Sequence, residues 1–269
     1  MSILKVPGAQ LFYEVSGSGP LLILIPGASG IGESFRPLTH HLIPQYQVVI
    51  YDRRGFFSSP LDGPADPVHR LETDADDVRR LIESLSDQPA IVFDSSSGVI
   101  VALEVLICAP ERVQTLVAHE PPAVFLLPDA ASWLAFFDGV YETYREDGIP
   151  KAMQQFASGI LGSVDLQVLE QVRREHINAS IVSKTRYWME YELRQYPRVQ
   201  LDLVALAAHA ERILLGGGYD SQDQLPYQPN QVLAEQLDFR VVDFPGGHLG
   251  FLSYPASFAK ALMDALKDF

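Results

Sequence analysis

Residues 89–108 read PAIVFDSSSGVIVALEVLIC, and this stretch decides the fold of the chain. The apolar run at 90–93 is typical of a buried strand in a parallel sheet. A turn of small residues at 94–98 follows, and an amphipathic helix is predicted from there to about Cys108. A strand, a tight turn and a helix are the setting of the G-x-S-x-G nucleophile elbow, in which Ser96 is the central serine.

One position departs from that motif, because Asp94 stands where the first glycine is expected. We expect its carboxylate to face solvent, to bond nearby backbone, or to raise the pKa of a histidine that comes close to it. The alternative interpretation of the stretch is a serine-rich turn that caps a helix, since serine is a favoured N-cap residue.

Composition limits the classes of protein that the chain can represent. At 269 residues, 47% apolar and 20% charged, it suits one α/β domain with a modest insertion. The net charge of −14 argues against nucleic acid and anionic membranes as partners. The chain shows no long apolar core near Met1 and no apolar run long enough to span a bilayer, so we expect a cytoplasmic protein. A long acidic chain with an apolar lid is compatible with a monomer or a homodimer.

Strand and helix patterns alternate along most of the chain. This alternation predicts βαβ units and a mostly parallel, doubly wound sheet of about eight strands with a helical lid insertion. An antiparallel hairpin at 3–6 and 10–16 is expected at one edge. The further strands are predicted at 21–27, 46–52, 113–120, 211–218 and 239–247, and helices at 73–85, 228–237 and 255–267.

The segment 121–200 breaks this rhythm. It carries long helical patterns and two clusters of aromatic residues, without a strand pattern. We therefore predict a core domain made of 1–120 and 201–269, and a helical cap made of 121–200 that covers the strand ends. The alternative is an additional core layer, which the aromatic residues would serve equally well.

Chemistry-bearing residues collect where the predicted strands end, and ligands of open parallel sheets bind at the carboxyl ends of the strands. A serine nucleophile needs a base, and the base needs a carboxylate to orient it. Ser96 follows one strand, Glu120 and Asp220 follow two others, and His248 follows the last. His248 comes after two glycines, which allow a short loop to present the imidazole. His119 lies next to Glu120 on a strand, so its side chain should face the opposite side and pack in the core.

Four motifs in this order resemble the α/β-hydrolase superfamily over essentially the whole chain. They are LLILIPGASG at 21–30, YDRRGFFSS at 51–59, FDSSSG at 93–98 and FPGGHLGF at 244–251. In the second motif Phe57 replaces a glycine. The resemblance implies Ser96 as the nucleophile, His248 as the general base, and the backbone N–H groups of Ala28 and Ser97 as oxyanion donors.

The resemblance leaves two candidates for the acid. The superfamily usually places it after a later strand, where Asp220 stands. A minority branch that includes the fungal zearalenone lactonases places a glutamate after the strand that follows the elbow helix. The stretch AHEPP at 118–122, the separation of Ser96 from Glu120 and the paired serine of the elbow are similar to that branch. We favour Glu120 and keep Asp220 as the alternate acid.

These residues predict a serine hydrolase that cleaves an ester or lactone of a mainly apolar, small-to-medium substrate, without metal or cofactor. Ser29, Tyr187 and Trp188 are the predicted substrate-binding residues. The main alternative keeps the fold without hydrolysis, as in the superfamily's lyases, cyclases, cofactor-free oxygenases and ligand receptors, and Asp94 is the residue that favours it. A structural or interaction protein is a third hypothesis, which leaves the grouping of Ser96, His248 and two carboxylates unexplained.

Overall fold

The computed structural model describes the backbone of residues 2–176 and 179–269, and the side chains of 2–171 and 185–269. In this part of the chain, eight strands form one sheet in the order β1-β2-β4-β3-β5-β6-β7-β8. The strands are β1 (Ser2–Val6), β2 (Ala9–Ser16), β3 (Leu21–Ile25), β4 (Gln47–Tyr51), β5 (Ala90–Ser95), β6 (Val113–His119), β7 (Ile213–Gly218) and β8 (Val241–Phe244).

The sheet is parallel from β4 to β8, and only the edge hairpin runs antiparallel. β1 pairs with β2 and β2 pairs with β4 in antiparallel register. The pairs β3–β4, β3–β5, β5–β6, β6–β7 and β7–β8 are parallel. The predicted mostly parallel sheet with its edge hairpin is therefore confirmed.

Helices cover both faces of this sheet, and a further group of helices lies in the segment 121–200. They are α1 (Arg36–Leu42), α2 (Arg70–Leu85), α3 (Ser97–Cys108), α4 (Ala130–Asp147), α5 (Ile149–Ile160), α6 (Ser163–His176), α7 (Ala179–Tyr191), α8 (Leu203–Ala207), α9 (Gln228–Leu237), α10 (Gly250–Ser253) and α11 (Pro255–Asp268). Apolar side chains of α2, α3, α8 and α9 pack on one face, and those of α1, α10 and α11 pack on the other.

The helix α3 differs from its prediction. It was expected to be amphipathic, but nine of its twelve residues are buried. The central position of β5 explains this burial, because the helix that follows a central strand packs against the sheet and is covered by its neighbours α2 and α8.

The helices α4 to α7 lie between β6 and β7 in the chain, and no strand occurs among the described residues of 121–200. Apolar side chains of α4, α5 and α7 form a third cluster, which Phe56 and Leu225 join from outside this segment. The division into a core domain and a cap at 121–200 stays a prediction; we use the name cap for residues 121–200. In the described residues no helix is both long and apolar enough to cross a bilayer.

Candidate active site

Ser96 is the one residue between β5 and α3, and its backbone is strained. Its φ of 58° and ψ of −130° lie in a region that residues with a side chain rarely adopt. The N–H of Ser96 donates to the His119 carbonyl at 2.9 Å, and the Ser96 carbonyl accepts from Val99 N at 3.0 Å. The neighbouring strand β6 and the helix after the turn thus hold the conformation that projects the Ser96 side chain from the sheet edge.

Two glycines allow this turn to pack closely against the neighbouring strand. A Cβ on Gly98 would lie 2.6 Å from the Ile25 carbonyl oxygen, and one on Gly27 would lie 2.7 Å from the Ser95 carbonyl oxygen. Neither position has room for a larger residue without a shift of backbone. The small residues read in the sequence around Ser96 therefore have a steric cause.

His248 and Glu120 are joined by a short hydrogen bond. Nδ1–H of His248 donates to Oε2 of Glu120 at 2.6 Å, and both side chains are buried. Burial lowers the pKa of His248, but the hydrogen bond and the negative charge of Glu120, together with the charge of Asp165, outweigh it, so the pKa is raised. This bond fixes the tautomer of His248 and leaves its Nε2 for a proton from a nucleophile.

Glu120 follows β6 directly in a left-handed conformation, with φ of 55°. Its Oε1 accepts hydrogen bonds from Gly218 N at 2.7 Å and from the hydroxyl of Ser221. Burial raises the pKa of Glu120, but the hydrogen bond from His248 and the nearby imidazoles outweigh it, so the pKa is lowered. A buried carboxylate with both oxygens occupied is suited to hold a histidine and to stabilise its charge.

Among the described residues no hydrogen bond joins the Asp220 side chain to His248, so the structure favours Glu120, and Asp220 stays a predicted alternate acid. The side chain of Asp220 is exposed, and its backbone N–H donates to the Gly246 carbonyl at 2.9 Å. The next residue, Ser221, is buried and donates to Glu120 instead. The carboxylate that contacts His248 thus follows β6, and the loop after β7 supplies a hydrogen-bond donor to that carboxylate.

The cavity beside Ser96 is bordered by Ser97, Ala28, Glu120 and His248. Among the described residues no hydrogen bond joins Ser96 to His248, a separation that is common before substrate binds. About 40 Å³ is open to the centre of a water molecule, which suffices for water and is far below the volume of a typical ligand pocket. The cap and the loop before α9 supply apolar walls: Phe137, Phe156, Ile160, Trp188, Leu193 and Leu225.

The peptide between Gly27 and Ala28 is held in one orientation. The Gly27 carbonyl accepts hydrogen bonds from Arg53 Nη1 at 3.2 Å and from Gly30 N at 2.8 Å. Because C=O and N–H of a planar trans peptide point in opposite directions, these bonds also fix the direction of the Ala28 N–H. Ser97 begins α3, and the first N–H groups of a helix have no partner within the helix. Both N–H groups therefore suit an oxyanion site.

The guanidinium of Arg53 belongs to a buried ionic cluster of Arg53, Arg70, Asp74, Glu192 and Tyr196. Arg53 Nη2 donates to Asp74 Oδ2 at 2.8 Å and to Glu192 Oε1 at 2.7 Å. Arg70 bonds the same two carboxylates at 3.0 and 2.8 Å, and the Tyr196 hydroxyl donates to Asp74 at 2.6 Å. Two positive and two negative groups balance here, and Glu192 also borders the cavity.

Of the three predicted substrate-binding residues, one borders the cavity and two do not. Trp188 is buried and borders the cavity, where its ring packs edge-on against Phe156 at 4.8 Å. Tyr187 does not border it: its hydroxyl accepts from Arg70 and its ring packs on Phe56 at 5.0 Å. Ser29 is exposed at the outer side of its turn. Tyr187 and Ser29 therefore do not border this cavity, and their part in substrate binding stays a prediction.

Asp94 is fully buried, so the expected contact with solvent is wrong. Among the described residues neither of its carboxylate oxygens has a hydrogen-bond partner. Burial raises the pKa of Asp94 well above its ordinary value, because an apolar interior favours the protonated, uncharged form. Its position inside β5 explains the burial, since central strands of parallel sheets are covered on both faces.

We expect Asp94→Val to stabilise the protein by about 1–3 kcal/mol at pH 7, because it removes an unpaired buried polar group. The pKa of Asp94 is higher in the folded protein than in the unfolded chain. The stability that protonated Asp94 contributes to the wild type is therefore present at acid pH, and it is lost as the pH rises above the pKa of the unfolded state. The gain of the valine variant over wild type should therefore grow between pH 5 and pH 7 in denaturant unfolding. Asp94→Asn is the control, because it keeps a buried polar group but removes the titration. If the stability gained by Asp94→Val does not change with pH, the raised pKa of Asp94 is contradicted.

Several residues of the site carry no signal in the sequence. Ser221 and Gly218 contact Glu120 from about a hundred positions away, and Asp165 contacts the backbone of His248. Arg53 stands in a motif that the sequence analysis identified, but the neighbouring Arg54 binds Asp77 instead and nothing local distinguishes the two arginines. The described residues contain no cluster of three or more histidine, cysteine or acidic side chains suited to a metal ion.

Comparison with known proteins agrees with this architecture. Residues 20–255 match a family model described as alpha/beta hydrolase fold. An uncharacterized hydrolase of Bacillus subtilis (strain 168), YraK, is 33% identical over 270 residues, which cover 98% of this chain and 95% of that protein.

Two solved structures resemble the whole chain. A thermophilic esterase from Thermogutta terrifontis superposes with a TM-score of 0.76 at 19% identity and covers 100% of this chain and 99% of its own. The enol-lactonase from Burkholderia xenovorans LB400 superposes with a TM-score of 0.73 at 17% identity, covering 99% and 100%. At these identities the likeness concerns the fold.

Proposed function

This chain belongs to the α/β-hydrolase family, and from that premise we propose that it hydrolyses a carboxylic ester or lactone through an acyl-enzyme on Ser96. One observation carries the proposal: a single cavity is bordered by Ser96, by His248, and by the Glu120 carboxylate that holds His248 Nδ1 at 2.6 Å. A nucleophile, a base and an orienting acid are the three groups that acyl transfer needs.

In the proposed reaction, His248 Nε2 takes the proton of Ser96 while Oγ attacks the substrate carbonyl. The N–H groups of Ala28 and Ser97 stabilise the oxyanion that forms. His248 then gives the proton to the leaving alkoxide, which departs or, in a lactone, stays attached as the far end of the opened ring. Water attacks the acyl-enzyme with His248 as base, and the carboxylic acid is released.

The walls of the cavity suggest the class of substrate. Aromatic and aliphatic side chains of the cap dominate it, and the Glu192 carboxylate is a polar exception. Such a surface favours a mainly apolar, small-to-medium acyl or alcohol group. The esterase and the enol-lactonase that share the fold act on the two substrate classes proposed here. The proposed mechanism needs no metal or cofactor, and we keep a monomer or homodimer without nucleic-acid or membrane partners as part of the proposal.

The non-hydrolytic alternative loses the observation that favoured it. Asp94 was the departure that pointed to a changed reaction, but it is buried in β5 and does not border the cavity. Its effect is therefore expected on stability rather than on the chemistry of Ser96.

A direct test combines turnover with covalent capture. The wild-type protein should hydrolyse a p-nitrophenyl ester series with a burst of p-nitrophenol equal to the enzyme concentration, and a fluorophosphonate should add to Ser96 in intact and peptide mass spectra. A panel of lactones should be run in parallel, because a strict lactone preference would leave the aryl esters untouched. A protein that neither turns over any ester or lactone nor reacts with the fluorophosphonate would overturn the proposal.

The pH dependence of the reaction follows from the raised pKa of His248. Since the neutral imidazole is the base, kcat/KM should rise with pH as His248 loses its proton, with a midpoint above the ordinary histidine value of about 6.5. Initial rates from pH 5 to 9, with the protein shown to stay folded across that range, measure this midpoint. A midpoint below 6.5 would mean that the Glu120–His248 bond does not form in the free enzyme.

A further inference from the structure

We propose that Asp165 of the cap is a positioning residue for His248, so that the place of the catalytic base depends on the seating of the cap. The inference rests on the proposed function, because it assigns Asp165 a part in placing the base of that reaction. Asp165 lies in the first turn of α6, and its own side chain borders neither Ser96 nor the cavity.

The contact itself is made with the backbone of the loop that carries His248. Asp165 is 1% exposed; its Oδ2 accepts from His248 N at 3.0 Å and its Oδ1 accepts from Leu249 N at 2.9 Å. Both carboxylate oxygens thus bind successive N–H groups of one loop. The loop is shaped to receive them, since a Cβ on Gly247 would lie 2.4 Å from Asp165 Oδ2.

His248 is therefore held from two sides by different parts of the chain. The core holds its ring, through Glu120 at Nδ1 and through His119, whose ring stacks on it at 6.2 Å. The cap holds its backbone, through Asp165. Within the loop, Gly250 N donates to the Gly247 carbonyl at 2.9 Å. Loss of the carboxylate would leave two buried N–H groups without their partner, and the loop would relax to satisfy them.

Asp165 also adds negative charge near the imidazole. The groups that face His248 are Glu120 after β6, His119 on β6, Asp165 on α6 and, across the cavity, Glu192. Burial lowers the pKa of His119 to about 4, so His119 is neutral and adds no charge. The charge of Asp165 raises the pKa of His248 in addition to Glu120, which gives the contact an effect that can be measured apart from folding.

The size of the cavity gives this contact a consequence. About 40 Å³ of the cavity is open to the centre of a water molecule, and the cap supplies most of its walls, so a substrate larger than this space has to displace part of the cap. Because α6 belongs to the cap, a movement of the cap changes the hydrogen bonds that Asp165 accepts from the N–H groups of His248 and Leu249. When the cap is closed over the cavity, His248 is also held in its catalytic position. The reaction is therefore favoured only after the substrate is enclosed.

The test uses Asp165→Asn and Asp165→Ala in the full chain, with Asp147→Asn as the matched control. Asp147 is an exposed cap residue whose carboxylate bonds Lys151 at 2.9 Å, so this variant removes the same charge far from the loop. We expect Asp165→Ala to lower kcat about 10- to 100-fold with a smaller change in KM, because misplacement of a catalytic group of this order has such effects. Asp165→Asn, which keeps one acceptor, should retain more of the activity. Both should lower the midpoint of the kcat/KM profile by about half a pH unit or more.

A second measurement keeps this inference separate from the proposed function. The pKa of His248, followed by NMR of histidine-labelled protein, should fall in Asp165→Asn and stay unchanged in Asp147→Asn, whether or not a substrate is known. An unchanged His248 pKa and an unchanged kcat in a folded Asp165→Asn variant would overturn the inference and leave the proposed function intact. If the alanine variant does not fold, the asparagine variant decides.

Discussion

Replacing Ser96 with alanine is expected to abolish hydrolysis, with a loss in kcat that reaches about 10⁶-fold if Ser96 acts as other serine nucleophiles do. The reason is that the acyl-enzyme on Ser96 cannot form without its Oγ. Hydrolysis of the best p-nitrophenyl ester or lactone, together with fluorophosphonate labelling, measures the effect. The label should be lost as well.

The elbow offers a matched control in Ser95. Its hydroxyl is buried and hydrogen-bonded to His119 Nδ1 at 3.1 Å, and it does not border the cavity. Ser95→Ala should therefore cost about 1 kcal/mol of stability while the turnover stays within a few-fold of wild type. The opposite pattern, with Ser95→Ala inactive and Ser96→Ala active, would show that the wrong serine has been assigned.

The second large effect is expected for Glu120→Gln. An amide keeps the size of the side chain but removes the charge that stabilises protonated His248. It also places an NH₂ group where Gly218, Ser221 and His248 already donate hydrogen bonds. In a triad, the equivalent change of the acid lowers kcat about 10⁴-fold while the fold is kept. Steady-state kinetics with circular dichroism would measure both.

Asp220→Asn is the control for that substitution, because its side chain is exposed and the change is chemically the same. We expect its activity to stay within a few-fold of wild type. If Asp220→Asn loses more activity than Glu120→Gln, the acid of the proposed triad is Asp220 after all, and the hydrogen bond between Glu120 and His248 is structural.

The parts of this fold that the sequence predicts are those with local causes. The elbow could be identified because a strand, a turn and a helix each leave a pattern within 20 residues, and the small residues there have a steric reason that applies to any such turn. The parallel pairing of the central strands follows from the alternation of strand and helix patterns in the same way. Burial of Asp94 could also have been predicted, since it stands inside the continuous apolar strand β5.

The parts that could not be predicted depend on contacts between distant segments. The choice between Glu120 and Asp220 depends on where β6 and β7 end relative to the His248 loop, and the preference for Glu120 came from a resemblance rather than from the two residues themselves. Likewise, Trp188 and Tyr187 are adjacent on α7, so the rotation of that helix about its axis decides that one borders the cavity and the other binds Arg70. Nothing in a single sequence specifies that rotation.

The buried ionic cluster around Arg53 has a consequence for protein engineering. The cap contributes Glu192, which together with Asp74 balances Arg53 and Arg70 among the residues whose side chains the structure describes. A chimaera that receives a foreign cap without an acid at this position would bury two guanidiniums against Asp74 alone, and an uncompensated buried charge costs about 3–5 kcal/mol. A cap can therefore be exchanged between relatives only if the acid at the position of Glu192 and the arginines at the positions of Arg53 and Arg70 are exchanged together. These charges form one complementary set across the boundary between cap and core.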